Sequence, residues 1–407
     1  MSSTNTVDCP ASEVQFNRLY SIALFAYLFQ LSLFQAEPNF SLIMREIAAI
    51  CLYVSVLVSL FIVVRNIIRT PRFPVLQGVI VSFSIFFFVS YHYNLIPLSL
   101  LICASANVSH DRIVRTCYKS LVFILSFFLL MWFLGVANDQ LSERSLNKDF
   151  DNEVMNIHTF GFIHYFCFSL RVLSASILYL YLKRNGVVKN YVYLILIVIN
   201  VSVYYLTYTR LHILLFWGFL IAYILYYKIP YINFKKPKHK IVGMLAYPIC
   251  QIFFLVILVA PFAGFEDIRE LWDSVFSKRM VSTLYFLSEY GINMFGNEIS
   301  MAGIGTAADT GDSEFFLDAG FAYWLIAFGL LYTFFILVSY TYLFYRAYSK
   351  QNWALYIWLF VFCIGNFIND FFSNADINPV ILLLFADLSD EVTEPECETE
   401  NINYEEC

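Results

Sequence analysis

Apolar stretches of about 20 residues recur along this 407-residue chain, and they narrow its possible folds more than any other feature. At about 1.5 Å per residue, a helix of that length crosses about 30 Å of hydrocarbon, whereas barrel strands leave shorter, alternating segments. The runs fall at roughly 18–35, 46–64, 74–90, 94–107, 117–136, 159–182, 191–208, 211–227, 241–262, 319–342, 353–372 and 377–388. With 60% hydrophobic residues, 14% charged residues and a mean hydropathy of +0.67, the chain suits lipid as its solvent. The expected class is all-α: a polytopic helical membrane protein with about twelve transmembrane helices.

The distribution of Lys and Arg orients those spans. One set of alternate loops holds Arg65, Arg69 and Arg72; Arg112, Arg115 and Lys119; Lys183, Arg184 and Lys189; Lys228, Lys235, Lys236, Lys238 and Lys240; and Arg346 with Lys350. With Arg18, that side carries 17 of the 25 basic residues and is expected to face the cytoplasm, with both termini there. The net charge of −6 comes from the end of the chain, where the last 21 residues hold nine acids and no Lys or Arg, so the remainder is net positive. Such a segment buries too little apolar surface to fold, and 389–407 reads as a disordered acidic cytoplasmic tail following a membrane domain at 1–388. Nothing suggests nucleic acid. The nine cysteines are scattered without a CxxC and read as core residues rather than metal ligands. Asp8 and Glu13 precede the first apolar run, unlike the basic start of a signal peptide.

Two segments on the opposite side are long: 137–158 and 263–318. The second is expected to be an extracytoplasmic loop containing an amphipathic helix, because Ile268, Leu271, Trp272, Val275, Phe276, Met280 and Leu284 recur at helical spacing. The Gly- and acid-rich stretch after it reads as an irregular lid-like loop. Loops of such length are usually functional or disordered.

Against this background, a few polar residues carry the candidate chemistry. The stretch YYLTYTRLHILLF puts Arg210 and His212 at a tight turn between two spans, on the side poor in cations. Arg210 either snorkels to lipid phosphate or binds an anionic substrate group through its guanidinium fork, and His212 reads as an ordinary polar residue. In NIHTFGFIHYFCFSLRVLSAS, His158 lies just outside the sixth span and His164 about a turn and a half inside it. Arg171, seven residues after His164 and on the same helix face, sits near mid-membrane, where it either meets an acid on another helix or touches substrate. Arg269, Lys278 and Arg279 form either a solvated face or a basic patch for an anionic headgroup. Among the acids of ADTGDSEFFLDA and GNFINDFFSNADINP, Asp370 is a candidate base and Asp376 a further acid, with solvation as the default. No GxxxxGK[ST], HExxH or GxSxG occurs.

The order of four stretches resembles the Wzy-type polysaccharide polymerases, which build O-antigen and capsule from repeat units. These are LICASANVSHDRIVRTCYKS, HTFGFIHYF, TYTRLH, and SKRMVSTLYFLSEYGINMFGNE followed by DSEFFLDAGFAYWLIAFGLLY; together the likeness spans roughly 45–385. Where many members carry Pro-Asn after the Gly161–Phe162 pair, this chain has Tyr165 and Phe166. The resemblance implies transfer of a growing glycan from polyprenyl pyrophosphate to a sugar hydroxyl, at the outer face of a bacterial cytoplasmic membrane. It implies Arg210 and Arg279 as clamps for the leaving pyrophosphate, with His164, His158 or Asp370 as base. Arg171, Arg269 and Lys278 are added as substrate contacts from the residue pattern. No cofactor and no metal are expected. The expected partners are the lipid-linked oligosaccharide, membrane lipid, a chain-length regulator and a flippase. A flippase for lipid-linked oligosaccharides and a related glycan ligase are the alternative readings.

Overall fold

The computed structural model describes residues 11–69, 95–139, 142–145, 154–228, 245–253, 279–299, 320–366, 369–370 and 374–388, with 78 and 82 as single positions. Six helices among them are long and apolar enough to cross a membrane: Arg45–Ile68, His110–Phe133, Tyr165–Leu182, Asn190–Thr207, Arg210–Tyr227 and Gly320–Ser349. In chain order the helices are α1 (Ala11–Phe34), α2 (Pro38–Ile43), α3 (Arg45–Arg69), α4 (Leu95–Ala104), α5 (His110–Phe133), α6 (Tyr165–Leu182), α7 (Asn190–Thr207) and α8 (Arg210–Lys228). They continue as α9 (Arg279–Tyr290), α10 (Gly320–Tyr323), α11 (Gly329–Ser349) and α12 (Trp353–Gly365). Helix α1 has the length of a span but is more polar, with Asn17, Arg18 and Gln30 along it. The protein is a helical membrane protein.

Helix α6 is the core of the bundle: 72% of it is buried, against 22% of α7. It packs against α5, α7, α8 and α12, while α1 packs on α3 and α5. Between helices in lipid the hydrophobic drive is weak, so close packing and hydrogen bonds do more of the holding. Asn200 of α7 donates to Ser176 Oγ of α6 (2.9 Å) and its Oδ1 meets His212 Nε2 of α8 (2.8 Å). Tyr223 donates to the Leu180 carbonyl (3.0 Å), and Asn352 donates to the Tyr181 hydroxyl (2.8 Å). Apolar side chains such as Ile50, Leu57 and Ile68 on α3 or Leu194, Val198 and Tyr205 on α7 are left exposed among the described residues, as a surface suited to lipid would be.

Contacts between chain segments sort the loops into two ends. Arg65 of α3 stacks over Phe16 of α1 (4.5 Å), so these helices run antiparallel. Arg184 pairs with Asp111 (2.6 Å) and meets His110 Nε2 (2.6 Å), and His110 Nδ1 meets the Asp387 carbonyl (2.8 Å). These join the start of α5, the end of α6 and residue 387 at a basic end. At the opposite end, the Ala36 and Phe162 backbones form an antiparallel bridge, and His158 N donates to Leu206 O (3.1 Å). Local signals set several boundaries: Ser109 caps α5, Glu37 accepts from Asn39 N and Phe40 N to cap α2, and Asn352 caps α12. Tyr208, at φ 49°, closes α7 in the left-handed conformation, and α8 starts two residues later.

Three expectations about the spans need correcting. Among the described residues the 94–107 run yields α4, of 10 residues, and the 353–372 run yields α12 with 13, about 20 Å long and too short to cross. The 377–388 run is not a transmembrane helix: a 3-10 turn at Pro379–Leu383 leads into bends at 384–386. Asp376 lies against Arg171 in the middle of α6, and Asp387 returns to the basic end, so α12 and 374–388 enter and leave on the same side. Bare backbone at that depth is tolerated only where protein covers it. Val380–Leu384 are all buried, and the Arg346 guanidinium donates to the carbonyls of Leu383, Leu384 and Ala386. The all-α expectation also needs a small amendment: Ser142–Ser145 and Val154–Ile157 pair as an antiparallel two-stranded ribbon inside the 137–158 loop.

The Gly320–Ser349 stretch is interrupted as well. A π turn at Trp324–Phe328 ends at Gly329, whose φ of 85° breaks the helix. Residues 293–297 fill the break. The Asn293 and Met294 carbonyls accept from Leu330 N and Leu331 N, and Asn297 N donates to the Ile326 and Ala327 carbonyls. A Cβ on Gly296 would come within 2.1 Å of the Ala327 oxygen, so only glycine fits there. The expected amphipathic helix is described as α9 with Thr283 and Phe286 buried; 265–278 and 300–319 lie outside the described residues, as do most of spans 74–90 and 241–262 and the acidic tail 389–407.

Candidate functional site

The end of the bundle opposite the basic loops gathers three of the candidate residues, His158, His164 and Arg210. Strand β2 (Val154–Ile157) delivers the chain to His158, and a tight turn then leads into α6. Phe160 (φ 51°) and Gly161 (φ 80°) both take left-handed backbone in that turn, and Phe162 N closes it on Thr159 O (3.1 Å). Gly161 is required twice over, because a Cβ there would also lie 2.8 Å from the Ala137 Cβ. Its carbonyl accepts from Glu37 N (2.8 Å) and Ile163 N donates to Gln35 O (2.9 Å), which fastens the turn to the chain leaving α1.

Asp139 is the hub of this turn. One carboxylate oxygen accepts from Thr159 N and Phe160 N, both at 2.8 Å, and from the Thr159 hydroxyl at 3.3 Å. The other oxygen meets His158 Nδ1 at 2.6 Å. Burial opposes the charge, but the hydrogen bonds from His158, Phe160 N, Thr159 N and the Trp132 indole outweigh it and hold the Asp139 carboxyl below its usual range. An ionised carboxylate only accepts, so Nδ1 carries the proton of the 2.6 Å bond and Nε2 is the ring nitrogen left clear of Asp139. The imidazole is 34% exposed and Asp139 13%, so the ring is the more open of the two to solvent. Trp132 and Phe160 flank the ring at centroid distances of 6.0 and 5.7 Å.

Arg210 belongs to the same end. It is the exposed first residue of α8, four positions after Leu206, whose carbonyl accepts from His158 N. No ion pair or hydrogen bond engages its side chain among the described residues. His164, half-buried, precedes α6 and stacks on Phe166 at 5.2 Å. His212 is buried between α7 and α8.

The other candidates lie elsewhere. Arg171 is fully buried and paired with Asp376, which is also fully buried. It donates further to the Cys167 carbonyl (2.7 Å), Gln35 Oε1 (2.9 Å) and Ser32 Oγ (3.3 Å), and stacks over Phe162 at 4.7 Å. The bridge to an acid on another segment is thus the arrangement found. Asp370 is buried and accepts from the Trp324 indole (2.9 Å), beside Gly320 and the break in the α10–α11 stretch. Arg279 opens α9, with its side chain outside the described structure; Arg269 and Lys278 lie outside the described residues.

Comparison with protein families, with curated proteins and with solved structures finds no match. The geometry of this end therefore carries the functional argument. Sequence reasoning passed over Asp139, which stands 19 residues before His158 with the ribbon between them. Its only visible signal was an acid closely following an apolar run on the acid-flanked side, and nothing in the spacing pairs it with a histidine.

Proposed function

We propose that this protein is a membrane enzyme that lengthens a lipid-linked glycan, transferring it from a polyprenyl-pyrophosphate donor to a sugar hydroxyl, as the resemblance to Wzy-type polymerases implies. Arg210 carries the reading. It is an exposed guanidinium with no partner among the described residues, beside the exposed Tyr205, Leu206 and Leu214, which in this reading face lipid. A polyprenyl chain partitions into hydrocarbon and its pyrophosphate stays at headgroup level, so donor lipid arriving along α7 and α8 presents its charge at the height of Arg210. The basic end faces the cytoplasm in this reading, and Arg210 the outer surface.

The chemistry asks little more of the protein. The acceptor hydroxyl attacks the anomeric carbon, the bond from that carbon to the pyrophosphate oxygen breaks, and the lipid pyrophosphate leaves with the electron pair. Arginines neutralise the departing charge, with Arg279 at the start of α9 as the second candidate. Substituting Arg210→Ala and Arg279→Ala should leave the protein in the membrane and reduce its product to single repeat units. Normal long glycan from both variants would refute the mechanism.

The interrupted helix at Gly329 favours one second reading, a flippase for the same lipid, because transporters build binding sites from broken helices. The break is nevertheless plugged by 293–297, which leaves its backbone groups satisfied. Cells lacking a flippase would lose all surface glycan and trap repeat units inside; cells lacking a polymerase would display single units.

A further inference from the structure

We infer that Asp139 and His158 form a catalytic dyad, in which His158 Nε2 accepts the proton of the attacking hydroxyl and Asp139 positions and stabilises the imidazolium that results. This deepens the polymerase reading and rests on it for the identity of the hydroxyl. Three features set this histidine apart. Its Nδ1 is committed to a carboxylate at 2.6 Å, its ring is 34% exposed, and the Asp139 carboxylate is fixed by two backbone N–H groups that no side-chain motion can withdraw. His110 and His212, by contrast, are fully buried in contacts between helices.

The dyad also stands in the right place. His158 N is bonded to Leu206 O, and the corner at Tyr208 and Thr209 carries the chain from there to Arg210. Base and cation therefore share one small region of the surface, as a displacement needs when a proton is taken on one side and negative charge develops on the other. Asp139 is the only ionisable group in contact with His158 among the described residues; its other neighbours are Trp132, Phe160 and the Leu206 backbone. The proton balance closes. The hydroxyl proton moves to Nε2 as the new glycosidic bond forms, and the imidazolium releases it to water after the lipid pyrophosphate departs.

The turn around Asp139 is structural as well as chemical, so the test avoids relying on an Asp139 variant. Full-length protein in lipid nanodiscs is given lipid-linked repeat units, and kcat and KM are measured for the wild type, His158→Gln and His158→Ala. Gln keeps a donor toward Asp139 and should preserve the turn. Both variants should lose about 100- to 10,000-fold in kcat with little change in KM. Added imidazole should restore part of the rate of His158→Ala, which a merely structural loss would not allow. Wild-type kcat in His158→Gln, or a loss in His158→Ala that imidazole leaves untouched, overturns the assignment.

A second measurement separates this inference from the reading beneath it. Diethyl pyrocarbonate at neutral pH should label His158 and spare buried His110 and His212, as read by mass spectrometry. Labelling of His158 with no glycan lengthening by the wild-type protein would overturn the polymerase reading and leave the geometry of the dyad standing. Failure of His158 to react would overturn the dyad itself.

Discussion

Removing Arg171 tests how this bundle tolerates charge at its centre. Both partners of the Arg171–Asp376 pair are fully buried, and the guanidinium also serves Ser32, Gln35 and the Cys167 carbonyl. Arg171→Met leaves the Asp376 carboxylate alone in an apolar interior, and breaking such a pair costs about 3–5 kcal/mol. Out of a total stability of about 5–15 kcal/mol, that is a large share. Asp376→Asn should cost less, because an amide can still accept from Arg171. The double variant Arg171→Met/Asp376→Leu should recover most of the loss, since Asp376 Oδ1 has no partner among the described residues and the pair is only partly satisfied there. The assay is denaturant or thermal unfolding of each purified protein in the same detergent, with Asp376→Leu as the second single variant that completes a double-mutant cycle with Arg171→Met and the double variant. The expected order of stability places Arg171→Met lowest, then Asp376→Asn, with the double variant near the wild type. Unfolding of Arg171→Met within about 0.5 kcal/mol of the wild type would refute the reasoning, and so would strictly additive losses.

Other consequences follow from single contacts. Gly161→Ala forces a side chain into left-handed backbone and against the Ala137 Cβ, so it should cost about 1–2 kcal/mol and lower glycan lengthening while leaving insertion unchanged, as read by membrane fractionation and product length. Gly296→Ala drives a Cβ into the Ala327 carbonyl, and limited proteolysis should show the 293–297 segment released from the break at Gly329. The depressed Asp139 carboxyl stabilises the turn above its ordinary value of 3.8 and loses that contribution as pH falls through the lower folded value. Amide protection at Thr159 and Phe160 should accordingly persist at pH 5 and fade only in stronger acid. Early loss, between pH 7 and 5, would show that another group holds the turn.

The parts of this architecture that could be read in advance are those governed by periodicity and charge. Long apolar runs announced the helices that became α3, α5, α6, α7 and α8, and the tight corner at Tyr208 and Thr209 fell where two such runs met. Hydropathy could not separate a span from a segment that enters the bundle and turns back. Residues 379–383 are wholly apolar, yet they form a 3-10 turn because Pro379 removes a donor and the Arg346 fork takes the carbonyls at its end. That fork is a long-range contact, 37 to 40 residues away, with no periodic trace. The same gap hid the chemistry. His158 was visible as a polar residue at a boundary, and so were Arg210 and His164, but a histidine becomes a base only through what its other nitrogen meets. Asp139 reaches it across an intervening ribbon, so the decisive pairing is a property of the fold. Arg171 shows the converse: an arginine among apolar residues advertised a function, and tertiary contacts turned it into an internal fastening for residues 374–388. The burial of the partner is what separates the two cases. An isolated charge in the interior demands a counterion and is consumed by it, whereas a boundary charge such as Arg210, already solvated, remains free to meet an anion from outside.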